Sequence, residues 1–287
     1  MSAQILDGKV LAAQLKDGLK KEIAAIRQAR NQHPRLASIV IGDDPASHSY
    51  ALSQQRTAEA LGIHYELEKL KANVSKAEVI ELIGQLNGYD QVHGIMLNKP
   101  LPSSLDFQTL VEMINPAKDI EGMTLTNLGR LVSGTAAILP STPAAAIALL
   151  KSTGVVLKGK EAVVVGRSEI VGKPVALMLL KEDVTVTVCH SKTVNLQGHL
   201  READIVVAAL GNPLFLKGSW LKPGAIVIDV GINSQEGKIV GDVDFASACT
   251  TAGFITPVPG GVGPVTSAML MRNVFEAFKN QLGVRIS

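Results

Sequence analysis

The stretch of residues 162–174 places the strongest constraint on this chain. An apolar, β-branched run ends at Gly166, and six residues later Gly172 opens a helical pattern. A strand, a tight glycine turn and a helix N-terminus together surround a pyrophosphate with free backbone N–H groups. Ser168 stands where the second glycine of G-x-G-x-x-G would be. The stretch therefore predicts a dinucleotide site, and an ordinary βα turn is the alternative on spacing alone.

The residues that follow the next strand indicate the phosphorylated form of the dinucleotide. The segment 184–188 alternates Val and Thr, which is typical of the second strand of a βαβ unit. An NAD site would place Asp or Glu after it for the ribose 2′-hydroxyl, whereas this chain has His190, Ser191 and Lys192. Arg167 lies in the glycine turn itself. Two cations and a hydroxyl suit a 2′-phosphate, so we expect NADP rather than NAD, with a solvated surface charge as the alternative for Lys192.

Composition fits a soluble enzyme. The 287 residues suffice for one large or two medium domains, and 46% hydrophobic residues can supply their cores. The net charge of +2 comes without a basic block, which gives no reason to expect nucleic acid as a partner. Neither a signal-peptide core nor an apolar run of membrane-spanning length is present, so we expect a cytoplasmic protein with no membrane partner. Cys189 and Cys249 form no metal spacing, and we expect both thiols to be free.

Helical and strand patterns alternate along the whole chain. The predicted helices cover residues 11–27, 47–61, 76–87, 109–114, 142–152, 174–180 and 263–281. The predicted strands cover residues 35–41, 65–70, 94–97, 163–166, 184–188, 205–210 and 225–230. This alternation predicts an α/β protein with parallel sheets and crossover helices.

Several longer motifs resemble those of one family. In the second half they are V-V-x-G-R-S-x-I-V-G-x-P at 163–174, C-H-S-K-T at 189–193 and T-P-V-P-G-G-V-G-P-V-T at 256–266. In the first half they are G-D-D-P-A-S-x-x-Y at 42–50, P-L-P at 100–102 and K-D at 118–119. Over nearly its whole length the chain resembles the bifunctional methylenetetrahydrofolate dehydrogenase/methenyltetrahydrofolate cyclohydrolase family. The motif at 256–266 is the most specific of them.

The resemblance implies two α/β domains around a cleft and a homodimer formed through the second domain. An N-terminal folate domain would comprise residues 1–140 and 267–287, and a C-terminal Rossmann-type NADP-binding domain residues 141–266. The implied nucleotide contacts are Thr142, Gly166, Arg167, Ser168, Ser191, Lys192 and Ile232. The implied folate contacts are Tyr50, Leu97, Asn98, Lys99, Glu121, Pro259, Gly260, Gly261, Val262 and Gly263. The catalytic candidates are Tyr50, Gln54, Asn98, Lys99 and Glu121.

The folate half departs from the family pattern at most of its key polar positions. Gln54 stands where the signature Y-x-x-x-K, which begins at Tyr50, has its lysine. The family's V-Q-L-P-L-P is altered at Asn98, a shortened glutamine, and at Lys99, which replaces a leucine. Glu121 lengthens the carboxylate of K-D-V-D-G, which is expected to hold the pterin. Because the nucleotide motifs are almost intact, the changes are concentrated in the substrate half.

The two reactions of the family place different demands on the protein. In 5,10-methylenetetrahydrofolate the reacting carbon lies between two nitrogens, so loss of hydride gives an amidinium cation without proton transfer. Hydrolysis of that cation requires a group that takes a proton from water and returns one to nitrogen, which a lysine of lowered pKa can do and glutamine cannot. General acid–base catalysis is typically worth ~10²–10⁴-fold. We therefore expect the dehydrogenase to persist and the cyclohydrolase to be reduced or lost.

Three other interpretations of the altered half stay open. They are neutral drift in a fully bifunctional enzyme, a changed substrate with the same hydride chemistry, and a non-catalytic nucleotide-binding paralogue. Lys99 could replace the missing amine, bind an acidic group or point to water. Asp229 ends a strand and precedes Gly231-Ile232, which by the resemblance borders the nicotinamide half. The scattered histidines are predicted to be structural or surface residues: His48, His64 and His93.

Overall fold

The structure is a computed structural model that describes residues 2–283. Its contacts divide these residues into two units. We call residues 2–14 with 140–269 the six-stranded unit, and residues 15–139 with 270–283 the three-stranded unit. The last four residues of the predicted folate domain, 284–287, lie outside the described residues.

Strands and helices alternate, as the sequence predicts. The strands are β1 (Gln4–Ile5), β2 (Arg35–Ile41), β3 (His64–Leu70), β4 (Gly94–Leu97), β5 (Glu161–Val165), β6 (Thr185–Cys189), β7 (Ile205–Ala208), β8 (Ile226–Asp229), β9 (Asn233–Gln235), β10 (Lys238–Val240) and β11 (Phe254–Ile255). The helices are α1 (Gly8–Arg30), α2 (Pro45–Leu61), α3 (Lys76–Gly88), α4 (Phe107–Val111), α5 (Leu125–Val132), α6 (Ser141–Ser152), α7 (Gly172–Lys181), α8 (Leu196–Glu202), α9 (Phe245–Ala248) and α10 (Val262–Gln281).

The six-stranded unit has a parallel sheet in the order β1-β11-β8-β7-β5-β6. After β1 at one edge, the chain enters the sheet at β5, next to the opposite edge, passes outward to β6 at that edge, and returns to fill the space between from β7 onward. The strand order therefore reverses between β5 and β7, and open α/β sheets bind ligands at such a point. Strands β9 and β10 form a separate antiparallel hairpin. Apolar residues of the sheet, such as Val163, Val206 and Val227, form a core with Leu200 of α8.

The N-terminus belongs to the six-stranded unit by its contacts. Gln4 and Ile5 pair in parallel with Phe254 and Ile255, which makes β1 the edge of the larger sheet. The grouping of the structure thus differs from the predicted boundaries over the first fourteen residues. A strand of two residues is too short for a detectable period, so no sequence pattern predicts this pairing.

The three-stranded unit has a parallel sheet in the order β3-β2-β4 that is covered on both faces. On one face, Leu36 of β2 packs with Ile23 of α1 and Phe275 of α10. On the other face, Ile39 packs with Ile83 of α3 and with the residues around α4. Burial of both faces explains why β2 is a continuous apolar run rather than an alternating one.

Side-chain caps fix where the helices of this unit begin. Asp44 accepts a hydrogen bond from Ser47 N (2.7 Å), which starts α2 directly after β2. Asp106 accepts one from Thr109 N (2.8 Å), so α4 begins at Phe107. Because of this cap, the helix begins and ends earlier than the predicted range 109–114. Helix α5, which the sequence analysis did not predict, begins after the capping residue Thr124.

The α/β class with two domains is confirmed. None of the helices within residues 2–283 is long and apolar enough to cross a membrane. The same residues bring together no group of three or more His, Cys, Asp or Glu side chains that could hold a metal ion. Both cysteines are free thiols, Cys189 buried and Cys249 partly exposed.

Candidate functional site

The glycine turn predicted to bind a dinucleotide lies at the carboxyl end of β5, where the strand order reverses. Gly166 has φ 131°, a conformation that favours glycine, and a Cβ there would collide with the carbonyl of Ala209. Gly172 lies so close to the Gly166 carbonyl that a side chain would not fit. Ser168 Oγ accepts hydrogen bonds from the N–H groups of Val171 (3.2 Å) and Gly172 (3.4 Å). Ser168 thus closes the turn at the position of the second glycine.

The residues predicted to select the 2′-phosphate lie at the ends of β5 and β6. Arg167, Ser191 and Lys192 are all exposed. The loop after β6 is fixed locally, because His190 Nδ1 accepts from Lys192 N (3.2 Å) and Thr193 Oγ1 from His190 N (2.8 Å). The loop carries no carboxylate between Cys189 and Asn195. An anion would meet two cations, a hydroxyl and free backbone N–H groups at this edge of the sheet.

The other residues predicted for the nucleotide half also lie in the six-stranded unit. Thr142 is in the first turn of α6, with its hydroxyl oxygen 3.5 Å from Thr266 Oγ1 of α10. Ile232 is 71% exposed.

The glycine-rich loop predicted to contact folate leads into α10, and its Gly260 carbonyl accepts a hydrogen bond from Gly8 N (2.9 Å). This loop comprises Pro259, Gly260, Gly261, Val262 and Gly263, the last two of which begin α10.

In the three-stranded unit, helix α2 presents two candidate residues on one face. Tyr50 and Gln54 are one turn apart, so their side chains are neighbours. Gln54 is 1% exposed, and neither atom of its amide has a hydrogen-bond partner. Burial raises the pKa of Tyr50, and the nearby Glu121 carboxylate raises it further. These three side chains therefore form one cluster.

The end of β4 adds further polar atoms without partners. Asn98 is buried, and its Nδ2 donates to Ser38 Oγ (2.7 Å) and to the Ile39 carbonyl (2.9 Å). Its Oδ1 has no partner, and neither has the phenol oxygen of Tyr65. Burial raises the pKa of Tyr65 to about 12. A buried polar atom left unpaired costs about 1–3 kcal/mol, so such atoms indicate groups that a ligand would satisfy.

Glu121 and Lys99 complete this cluster. Burial raises the pKa of Glu121 to about 7, Asp119 raises it as well, and Lys99 opposes the rise. The Lys99 side chain is exposed, with Nζ 3.7 Å from the centroid of the Phe107 ring. The Ser47 hydroxyl is 3.0 Å from the Lys99 carbonyl oxygen, which holds the start of α2 close to the end of β4. Leu97, the remaining predicted contact, is buried in the core behind the cluster.

Comparison with known proteins decides the family. The family description "Tetrahydrofolate dehydrogenase/cyclohydrolase, catalytic domain" matches residues 6–121, and "Tetrahydrofolate dehydrogenase/cyclohydrolase, NAD(P)-binding domain" matches residues 140–282. The chain belongs to the tetrahydrofolate dehydrogenase/cyclohydrolase family. The resemblance found in the sequence motifs is confirmed.

Individual members of the family match the chain from end to end. "Bifunctional protein FolD" of Bacillus pumilus is 48% identical over 283 residues, which are 98% of this chain and 100% of the relative. The structure of the bifunctional FolD enzyme of Campylobacter jejuni has a TM-score of 0.94 at 42% identity, with 97% of this chain and 99% of that chain covered. A Trypanosoma brucei FolD structure, complexed with NADP cofactor and inhibitor, has a TM-score of 0.93 at 36% identity, with 99% and 100% covered.

One family motif, the K-D pair at 118–119, has a structural role in this chain. Lys118 Nζ donates to the carbonyls of Leu86, Asn87 and Tyr89 at 2.8–3.1 Å, and so closes the C-terminus of α3. Asp119 accepts from Thr124 N (2.8 Å) and Asn127 Nδ2 (2.9 Å), which anchors the start of α5. The K-D pair thus holds the segment that carries Glu121.

Several residues around the site carry no signal of their own in the sequence. Ser38, Tyr65 and Phe107 join the cluster from β2, β3 and α4, and each is an unremarkable residue in its own segment. In the six-stranded unit, Asp242 is a fully buried carboxylate that was not predicted. The only sequence signal for it was an acidic residue between Gly241 and an apolar residue, next to a short hairpin.

A large cavity lies elsewhere in the three-stranded unit. It measures about 700 Å³ and is lined by Arg35, His93 and Phe278, among others. Arg35 begins β2 and His93 precedes β4, so the cavity lies at the amino ends of the strands. Ligand sites of parallel sheets lie at the carboxyl ends, where the cluster of Tyr50 and Asn98 is. Burial lowers the pKa of His93 to about 4, and its Nδ1 accepts from Arg35 N (3.1 Å), a structural role.

Proposed function

We propose that this chain is an NADP-dependent 5,10-methylenetetrahydrofolate dehydrogenase that hydrolyses its methenyl product slowly. Family membership supports folate one-carbon chemistry. The intact turn at Gly166 supports binding of a dinucleotide. The unpartnered amide of Gln54 supports a hydrolysis step that is slow compared with the oxidation. This amide is the observation that carries the proposal.

NADP is the proposed cofactor. A side chain at Gly166 would collide with the Ala209 carbonyl, so the tight strand-to-helix turn that a pyrophosphate-binding site requires depends on this glycine. Arg167, Ser191 and Lys192 would bind the 2′-phosphate. The Trypanosoma brucei relative, complexed with NADP, supports the same choice. When bound, NADP supplies the hydride acceptor.

The three-stranded unit would bind the folate. The unpartnered Asn98 Oδ1, the Gln54 amide and the Tyr65 phenol would satisfy polar groups of a pterin, and Glu121 would accept hydrogen bonds from its amino groups. Tyr50 would position the ring. Hydride loss needs only that this side of the site hold the reacting carbon in place, because no proton moves in that step.

We expect the cluster to catalyse hydrolysis of the methenyl cation poorly. The Gln54 amide can donate and accept hydrogen bonds, but it does not change its charge at neutral pH. Water that attacks the cation must lose a proton, and a nitrogen must gain one. Without an amine at position 54, we expect this step to be slower than the oxidation that precedes it.

A second candidate function is full bifunctionality, and two observations favour it. The Bacillus pumilus and Campylobacter jejuni relatives are both described as bifunctional. Glu121 has a pKa raised to about 7 by burial and lies next to Tyr50, so a carboxyl group able to exchange a proton at neutral pH is at hand. In that case Glu121 would take the place of the lysine.

One assay separates the two candidates. Purified protein is given 5,10-methylenetetrahydrofolate and NADP, and the formation and decay of the methenyl product are followed separately. Rapid formation with decay at the spontaneous rate supports the dehydrogenase alone, whereas decay well above that rate supports bifunctionality. Absence of turnover with tight NADP binding would contradict both and favour a changed substrate or a non-catalytic role.

The proposal includes a cytoplasmic homodimer. The free thiols of Cys189 and Cys249 suit a reducing compartment. The family resemblance implies a dimer formed through the six-stranded unit. Light scattering of the purified protein tests this directly, because a monomer of 30.3 kDa and its dimer differ twofold in mass.

A further inference from the structure

A buried carboxylate organises the loops on the far side of the glycine turn in the six-stranded unit. Asp242 follows β10 and is fully buried. Its Oδ2 accepts from the N–H groups of Leu210 (2.6 Å) and Gly211 (3.0 Å). Its Oδ1 accepts from Asn212 N (2.9 Å) and Asn233 Nδ2 (2.9 Å). Because all four partners are donors, both oxygens act as acceptors, as in an ionised carboxylate.

A second carboxylate holds Asp242 in place. Asp229 ends β8, and its Oδ1 accepts from Asp242 N (3.0 Å) and Gly231 N (3.0 Å). Its Oδ2 accepts from Val243 N (2.9 Å). The two side chains therefore tie together three loops, those that follow β7, β8 and β10.

The loop that follows β7 lies directly beside the glycine turn. Ala209 N donates to the Val165 carbonyl (2.8 Å), and the Ala209 carbonyl closes the space beside Gly166. A dinucleotide crosses the sheet at this reversal of strand order. Arg167 and Ser191 lie at the ends of β5 and β6, where the 2′-phosphate would lie. The other end of the dinucleotide would then pass over the loop of residues 209–212.

We propose that Asp242 is a positioning residue for the nicotinamide half of the dinucleotide. Three consecutive N–H groups that point at one carboxylate hold residues 210–212 in a single shape. An amide at position 242 has only one acceptor oxygen, and its NH₂ group would face donors. That exchange would release the loop while the turn at Gly166 and the loop after β6 keep their own contacts. The inference builds on the NADP binding proposed above.

The test measures how tightly two ligands bind to the variant Asp242→Asn and to the wild-type protein. NADP reaches both halves of the site, whereas adenosine 2′,5′-bisphosphate carries only the half with the 2′-phosphate. We expect the Kd of NADP to rise at least ~10-fold, about 1.4 kcal/mol, and that of the bisphosphate to stay within about twofold. The matched control is Asp244→Asn, since the Asp244 side chain caps α9 and pairs with Lys217 (3.4 Å) rather than accepting from residues 210–212. We expect that control to leave both affinities unchanged.

Other outcomes separate this inference from the proposed function. Equal weakening of both ligands, or of neither, overturns the positioning role. Failure of the wild-type protein to bind either ligand overturns the proposed function itself. If Asp242→Asn does not fold, Asn233→Ala removes a single donor to the same carboxylate, and a rise of about threefold in the NADP Kd alone is expected. An unchanged NADP Kd in a folded Asn233→Ala then counts against the inference.

Discussion

The carboxyl ends of the two parallel sheets differ in how their polar groups are satisfied. In the six-stranded unit, Ser168, Asp229 and Asp242 each accept two or more hydrogen bonds from the protein itself. In the three-stranded unit, Gln54 and Asn98 have buried atoms without partners, as has Tyr65, which lies near the start of β3, and within residues 2–283 no other side chain has such atoms.

This difference distinguishes a scaffold from a binding surface. Groups that are paired internally fix the backbone around a ligand, and the ligand then meets N–H groups and exposed cations. Unpaired groups reduce the stability of the folded protein and are retained where a ligand pairs with them. We therefore expect changes in sequence in the three-stranded unit to alter the chemistry, and the predicted departures from the family motifs, such as Gln54, lie there.

Removal of the unpaired amide should stabilise the protein most. Gln54→Met keeps the volume and removes two buried polar atoms without partners, so we expect the free energy of unfolding to rise by about 2 kcal/mol. Denaturant unfolding monitored by circular dichroism measures it. The control is Gln55→Met at the next position, which is less buried and donates to Glu59 (2.9 Å), with a change below about 0.5 kcal/mol. A loss of stability in Gln54→Met would show that the amide is paired.

The stability of the three-stranded unit should depend on pH through Glu121. Burial raises its pKa to about 7, so the folded protein keeps a proton that the unfolded chain releases near the ordinary value of 4.5. Its contribution is fully present below pH 4.5 and is lost as the pH rises to about 7, an effect of about 3 kcal/mol. Comparison with Glu121→Gln at pH 5 and pH 8 isolates this group, because the raised pKa of Asp229 acts in both proteins. A constant difference between the two proteins contradicts it.

The dinucleotide should show a preference set by the 2′-phosphate. Because Arg167 and Ser191 take the place of an acidic residue, we expect NADP to bind at least ~10-fold more tightly than NAD, or ~1.4 kcal/mol. Arg167→Ala should remove most of this preference. Lys173→Ala is the control, since Lys173 lies at the same helix start but pairs with Glu169 (3.2 Å). Equal affinities of the wild-type protein by calorimetry would contradict the assignment.

The smallest effect is expected at Lys99. Lys99→Leu removes a cation from the face of Phe107 and the charge that holds down the pKa of Glu121. Exposed cation–π contacts are worth about 0.5–1 kcal/mol, so the free energy of unfolding should fall by that amount, and loss of the charge near Glu121 should raise the KM for the folate substrate while the NADP Kd is unchanged. Lys71→Leu, an exposed lysine after β3, is the control. Unchanged kinetics with every substrate would leave Lys99 as a surface residue.

The sequence predicted the long elements well because their apolar periods are strong. The strands 35–41 and 94–97 agree with the structure residue for residue. Strands β1, β9, β10 and β11 have two or three residues each, too few for a period to appear. The helix predicted over 109–114 lies at 107–111, because the Asp106 cap starts it two residues before the predicted position.

The candidate site could be predicted only where one segment carried the signal. Gln54, Asn98 and Glu121 stood out against the family motifs. Ser38 and Tyr65 reach the same cluster from separate strands, and Asp242 acts through backbone groups thirty or more residues earlier in the chain. Contacts of that kind depend on the folded chain, and no local pattern contains them.

The most direct test of the account restores the lysine. In Gln54→Lys, and in the triple variant Gln54→Lys with Asn98→Gln and Glu121→Asp, the decay of the methenyl product is followed together with its formation. Because only hydrolysis needs a proton carrier at position 54, we expect the methenyl product to decay faster by ~10²-fold or more, with its formation changed much less. Wild-type decay already well above the spontaneous rate, with no gain in either variant, would contradict the claim that Gln54 limits hydrolysis.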